Sequence, residues 1–149
     1  MRIAARPARP DDATELVAMI NQLATHHGDV GAMDVAAINR DAFGATPWIS
    51  VLVAEGEAGL AGYAILCPLY RAQFGSRGMD MHHLYVSPQY RGAKIGRGLV
   101  EAAVAHARDQ ECSYLTVGTH RDNVDAQQFY LGAGFAPASP SGPRFKLQL

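Results

Sequence analysis

The most constraining stretch of the chain is Val86-Ser87-Pro88-Gln89-Tyr90-Arg91-Gly92-Ala93-Lys94-Ile95-Gly96-Arg97-Gly98-Leu99-Val100. It reads as a strand end, a glycine-bearing turn and the start of a helix. Pro88 ends the strand-like run before it by removing a backbone donor. Beyond it, Ile95, Leu99, Val100, Ala103, Val104 and Ala107 recur at helical spacing, so the turn delivers backbone N–H groups at the positive end of a helix dipole. Gly92, Gly96 and Gly98 let a ligand approach the backbone, and Arg91, Lys94 and Arg97 add positive charge. Such a turn suits a phosphate group. The bland reading of the same residues is a surface turn after a strand.

Two phosphate loops are excluded. A nucleotide-hydrolysing P-loop opens its helix with Gly-Lys-Ser/Thr, which occurs nowhere here. A dinucleotide fingerprint needs a further glycine three residues after Gly98, where Glu101 stands. The segment Arg91 to Gly96 instead resembles the pyrophosphate loop of the GNAT superfamily of N-acetyltransferases, Arg/Gln-x-x-Gly-x-Gly/Ala between a strand and a helix. Lys94 departs from it, occupying the position of the first glycine. A second, distant element, Asn123-Val124-Asp125-Ala126-Gln127-Gln128-Phe129-Tyr130-Leu131-Gly132-Ala133-Gly134-Phe135, resembles the family's Asn-x-x-Ala-x-x-Phe-Tyr-x-x-x-Gly-Phe.

The order of elements agrees. Residues 2–6 read as a short strand, Pro10-Asp11-Asp12 starts a helix ending near His27-Gly28, and a second helix spans Asp34 to Phe43. Ile49 to Glu55 and Leu60 to Pro68 form a hairpin, Tyr70 to Gly78 reads as a polar loop, and Met79 to Val86 is the strand entering the turn. The long helix runs to about Gln110, Ser113 to Thr119 is a strand, and Asp122 or Asn123 caps a helix running to Leu131. A last strand is expected around Arg144 to Leu149. The resemblance implies an α/β (α+β) GNAT fold, a mixed sheet of about six to seven strands flanked by about four helices. It spans residues 1–149 as a single domain.

Composition narrows the function classes. With 149 residues, 48% hydrophobic and 18% charged, the chain can bury a sizeable core, and its net charge of −1 offers no footprint for nucleic acid. Cys67 and Cys112 lie in apolar runs without metal-ligand spacing, which suits buried thiols in a reducing cytoplasm. No apolar run reaches membrane length and no signal peptide is read, so a cytoplasmic protein without a membrane partner is expected. His106 and His120 lack partners at ligand spacing, and no metal is expected.

The resemblance implies acetyl-CoA as co-substrate, with an amine attacking its thioester. Three tasks follow: deprotonating the ammonium, steadying the oxyanion and protonating the thiolate. Simple strand alternation sets Asp80, His82 and Leu84 on one face and Met81, His83 and Tyr85 on the other. Family bases come from this strand at positions matching Asp80 or His82. An imidazole titrates near neutrality, which favours His82 as base, a hydrogen-bonded strand histidine being the alternative. His83, on the opposite face, reads as structural. Backbone groups of Leu84, Tyr85 and Val86 are implied to bind pantetheine, and Arg91, Gly92, Ala93, Lys94, Ile95, Gly96, Arg97 and Gly98 the pyrophosphate.

On the last helix Asn123, Gln127 and Tyr130 share a face toward the cofactor, with Phe129 pointing into the core. Tyr130 is either the acid that protonates the thiolate or a packing residue, and Asn123 either binds the cofactor or caps its helix. His26, His27 and Asp29 end the first helix where the family lines its acceptor site, and a solvated turn explains them equally.

Leu23-Ala24, Tyr70 to Phe74 and Met81-His82-His83-Leu84-Tyr85-Val86 resemble the diamine and polyamine N-acetyltransferase branch. That branch carries acidic residues at the positions of His82 and His83, so polyamine specificity is not carried over. The expectation is a small-molecule amine acceptor and a homodimer. Acetylation of a protein amine and a non-catalytic acyl-CoA-binding module are the alternatives.

Overall fold

The structure, a computed structural model, describes residues 3–140 and 142–149. The chain divides into two compact units, the first ending at Gly118 and the second running Thr119–Leu149. In the first, the order is β1 (Ala5–Pro7), α1 (Ala13–His26), α2 (Val35–Phe43), β2 (Ser50–Gly56), β3 (Gly59–Arg71), β4 (Ser76–Val86), α3 (Ile95–Asp109) and β5 (Tyr114–Val117). The second unit contains α4 (Val124–Gly132). Of the first strand expected at 2–6, residue 2 lies outside the described residues, and the strand forms at Ala5–Pro7.

The sheet order is β1-β2-β3-β4-β5, antiparallel except for the parallel β4–β5 pair. α1 buries Ala13, Leu16, Met19, Ile20 and Leu23, one stripe at helical spacing, against Val51, Val53, Tyr63, Ile65 and Tyr85 of the sheet. α3 buries Ile95, Leu99, Val100, Ala103 and Ala107 and packs on β3, β4 and β2. The helix ends follow local chemistry. Asp34 caps α2 by accepting from the Ala37 amide at 2.7 Å. After α1, Gly28 takes φ 80° and the Asp29 amide reaches back to the Ala24 carbonyl at 2.9 Å.

One ion pair joins β1 to the start of α1. Arg6 grips the buried Asp12 through two nitrogens at 2.8 and 3.0 Å, and Asp12 also accepts the Arg9 amide at 2.7 Å. Asp12 is thereby held below the usual carboxylate range, chiefly by the Arg6 hydrogen bond.

Several expectations are corrected. The sheet has five strands rather than six or seven among the described residues, because the segment at Arg144 to Leu149 forms none. Phe145, Leu147 and Leu149 alternate as a strand would, yet they are exposed, and alternation makes a strand only where an edge pairs with it. The segment Tyr70 to Gly78 is not a polar loop. β3 continues to Arg71, a single 3-10 turn covers Ala72–Phe74, Gly75 adopts φ 54°, and β4 begins at Ser76. Leu69, Tyr70 and Phe74 are exposed apolar side chains on this hairpin. Cys67 and Cys112 are half-buried rather than buried. Phe129 is not in a core, since α4 has no fully buried residue.

Candidate active site

β4 carries the first part of the site. Its parallel pairing with β5 runs from Gly78↔Tyr114 to Met81↔Val117 and then stops. His83 to Val86 stay paired with β3 on one side only, so beyond Met81 the other edge of β4 has no strand partner among the described residues. Leu84, Tyr85 and Val86 all lie on this unpaired edge, which can hydrogen-bond an extended amide-bearing ligand.

The expected alternation of side chains along β4 is overturned by a bulge. Ile65 pairs with His83 while the next residue, Leu66, pairs with Met81, leaving His82 as the extra residue. The phase of the strand therefore shifts at His82. Asp80 (opposite Cys67), His83 (opposite Ile65) and Tyr85 (opposite Tyr63) share the α1 face, and Met81 and Leu84 take the other. The two histidine rings, expected on opposite faces, stack at 4.5 Å with 9° between their planes.

His83 is half-buried and His82 exposed. The Tyr63 hydroxyl lies 3.3 Å from His83 Nδ1. Burial, then the neighbouring His82 and His27, pushes the His83 imidazole below its ordinary value, favouring the neutral ring. Burial raises the Tyr63 phenol and keeps it protonated. Tyr85 donates its hydroxyl to Gln22 of α1 at 3.1 Å, and the Asp80 carboxylate accepts from the Thr116 hydroxyl at 2.7 Å. Tyr63, Gln22 and Thr116 had no signal in the sequence as site residues, because each needs a neighbour from a distant element.

The turn is the second part. A 3-10 turn at Pro88–Tyr90 leads into Gly92 at φ 88° and Lys94 at φ 63°, ψ 22°. Lys94 thus occupies the left-handed region that a glycine at this position would enter freely, so the backbone keeps the pattern that the side chain departs from. The Lys94 side chain does not cap α3. The amides of Ile95, Gly96 and Arg97 begin the helix and have no partner within it, while Gly98 N–H bonds to the Lys94 carbonyl at 3.1 Å. A Cβ built on Gly92 or Gly98 meets only open space, which leaves room for a ligand.

The three cations differ in their engagements. Arg91 Nε donates to the Val86 carbonyl at 3.3 Å, Arg97 lies 3.9 Å from Glu101, and Lys94 and Ala93 are exposed. Tyr90 anchors the turn to the β2–β3 hairpin: its hydroxyl accepts from the Ala58 amide at 3.4 Å, and its ring lies where a Cβ on Gly56 would come within 2.6 Å.

The remaining candidates are placed as follows. His26 ends α1 and His27 caps it, with ring centroids 5.9 Å apart, and both are exposed with Asp29. Within the second unit, Asn123 caps α4 by accepting from the Ala126 amide at 3.1 Å. Gln127 donates to the Arg121 carbonyl at 2.8 Å, back into the preceding loop. Tyr130 is half-buried, edge-on to Phe129 at 5.3 Å and Phe135 at 5.7 Å, and burial pushes its phenol up. No cluster of three or more metal-ligating side chains exists among the described residues, and no helix of theirs is long and apolar enough to cross a membrane.

Comparison with known proteins bears on the family and the fold. The model of the Acetyltransferase (GNAT) family matches residues 32–135. Thialysine N-epsilon-acetyltransferase of Bos taurus is 30% identical over 139 residues, covering 87% of this chain and 81% of the relative. Its counterpart in Mus musculus is 30% identical over 140 residues, covering 86% and 82%. A solved structure described as a probable acetyltransferase shares the fold with a TM-score of 0.82 at 19% identity, covering 100% of this chain and 98% of that one. With an anion-ready turn where the family pattern requires it, a splayed β4 and a family match over most of its length, this chain belongs to the GNAT family of N-acetyltransferases.

Proposed function

We propose that the chain works as one domain over residues 1–149 and transfers an acetyl group from acetyl-CoA to a primary amine of a small metabolite, by direct attack in a ternary complex. The observation that carries this reading is the continuity of two backbone features. An unpaired strand edge at 82–86 leads, through the turn at 87–94, to a helix N-terminus at Ile95 that no side chain caps. The edge suits the amides of the pantetheine arm, and the helix terminus suits the pyrophosphate of coenzyme A.

Acetyl-CoA supplies the activated acyl group and a thiolate leaving group. Leu84, Tyr85 and Val86 hold the pantetheine arm through main-chain groups. Arg91 to Gly98 hold the pyrophosphate, with the amides of Ile95, Gly96 and Arg97 pointing out of the helix and Lys94 adding charge. Asn123 and Gln127 order the start of α4 rather than offering free side chains, which leaves Tyr130 as that element's chemical contribution. Its phenol stays protonated at neutral pH and can donate to a thiolate. The base comes from β4, a strand that carries the titratable side chains Asp80, His82 and His83, of which the family pattern points to the first two. His26, His27 and Asp29, at the end of α1, meet the acceptor. The relatives support a small amine, being thialysine N-epsilon-acetyltransferases by name. The protein is cytoplasmic and dimeric in this reading, with the exposed apolar hairpin residues Leu69, Tyr70 and Phe74 available to a second copy.

The test is thiol release from acetyl-CoA with a panel of small primary amines, thialysine included, against peptides with free amines. Turnover of small amines well above peptides is expected. Turnover confined to peptides overturns the acceptor class. Acetyl-CoA that binds without thiol release under any amine overturns the catalytic reading.

A further inference from the structure

The bulge in β4 makes an arrangement that a regular strand cannot. Because His82 is the inserted residue, adjacent rings that would diverge are brought face to face at 4.5 Å, 9° from parallel. The two rings are held differently: His83 is half-buried and has the Tyr63 hydroxyl at 3.3 Å from Nδ1, while His82 is exposed. Tyr63 is itself fully buried, so it cannot follow a moving ring. We propose that this stacked pair is the proton-accepting element of the acceptor site, with His83 taking the proton of the incoming ammonium at Nε2 and His82 a positioning residue stacked on it. The inference rests on the acetyl-transfer reading and names its base.

The tautomer follows from the anchor. If Nδ1–H donates to the Tyr63 oxygen, the contact survives when Nε2 gains a proton, because Nδ1 is a donor in both states. In the step itself, an N–H bond of the ammonium breaks and its electron pair stays on the nitrogen, which becomes nucleophilic. The proton forms a new bond to Nε2.

The groups facing His83 come from three elements. His82 and, further along the same face, Asp80 and Tyr85 belong to β4; Tyr63 and Cys67 to β3; His27 to the end of α1, where Gln22 meets Tyr85. Two imidazoles close to His83 oppose its protonation when they are charged, and burial acts in the same direction. A ring kept neutral at cytosolic pH is one ready to accept. Asp80, the competing base, already accepts the Thr116 hydroxyl.

The experiment compares wild type, His83→Gln and His82→Gln using acetyl-CoA and the panel amine that wild type turns over best. Readouts are kcat/KM against pH, imidazole titration followed by NMR, and acetyl-CoA affinity by calorimetry. His83→Gln is expected to lose about 10²–10⁴-fold in kcat/KM with acetyl-CoA affinity unchanged. His82→Gln is expected to keep activity within about 10-fold and to move the acid limb, and the NMR midpoint of His83, to higher pH, since a like charge and a covering ring are removed. A His83→Gln enzyme within about threefold of wild type, or a larger loss in His82→Gln than in His83→Gln, overturns the assignment while leaving acetyl transfer intact. An unmoved acid limb and midpoint in His82→Gln overturns the pairing. A wild type that binds acetyl-CoA and acetylates no amine overturns the underlying reading instead.

Discussion

Replacing Lys94 by glycine is expected to move stability and ligand affinity in opposite directions. Lys94 sits at φ 63°, ψ 22°, where an L residue crowds its own carbonyl at a cost of about 1–2 kcal/mol. Glycine relieves that cost but gives the unfolded chain more freedom, worth about 0.4–1 kcal/mol in the other direction. The position precedes the helix, so no helix-interior penalty applies. The net is a stabilisation of about 0.5–1 kcal/mol, a rise in Tm of about 1–4 °C for a chain of this size. The same substitution removes an exposed cation from the turn proposed to hold the pyrophosphate. One charge acting on a phosphate near a protein surface contributes about 1 kcal/mol, so acetyl-CoA affinity should fall about three- to tenfold, and less so at high salt. Lys94→Ala separates the two effects, because it drops the charge and keeps the left-handed strain. Thermal unfolding and calorimetric titration at two ionic strengths read both quantities. A Lys94→Gly protein less stable than Lys94→Ala would refute the strain argument, and a salt-independent, unchanged affinity would refute the role of the cation.

Asp12→Asn should cost about 1–3 kcal/mol by weakening the charge-assisted grip of Arg6. The Asp12 carboxyl is depressed in the folded state, so its contribution is present above the usual carboxylate range and is lost as pH falls through and below about 4; denaturant melts should show that the variant lacks this acid-side decline. Gly78→Leu should destabilise by about 2 kcal/mol or more, because even a Cβ there runs into the Tyr114 ring on β5, on which Arg71 is stacked at 4.2 Å; wild-type melting behaviour would show that β4 and β5 have room to separate. Tyr130→Phe should lower kcat by about 10²–10⁴ with little change in KM for acetyl-CoA if the phenol is the acid, the lower end being favoured because a thiol is a fair leaving group; steady-state turnover within a few-fold of wild type assigns it to packing instead.

What the sequence determined by itself is whatever depends on neighbours along the chain. The helical spacing of Leu16, Ile20 and Leu23, the caps at Asp34 and Asn123, and the turn that ends at the α3 terminus are all local, so their elements appear within a residue or two of where they are read. The glycine position occupied by Lys94 is legible too, since the motif specifies a backbone conformation and the chain adopts it. Tertiary structure decided the rest. The alternating Phe145, Leu147 and Leu149 pattern is as good a strand signal as Ser50 to Glu55, but only the latter has a paired edge on each side. The β3–β4 hairpin carries both strands through Tyr70 and Arg77, because the register already set between β3 and β4 continues to Arg71↔Ser76. Most consequential is the bulge. A single inserted residue reverses which side chains share a face, and its position depends on how Ile65 and Leu66 find partners across the sheet. Nothing local to Met81-His82-His83-Leu84 records that choice. It is why the sequence points to His82 while the folded strand presents His83, anchored by a tyrosine twenty residues away, to the α1 face.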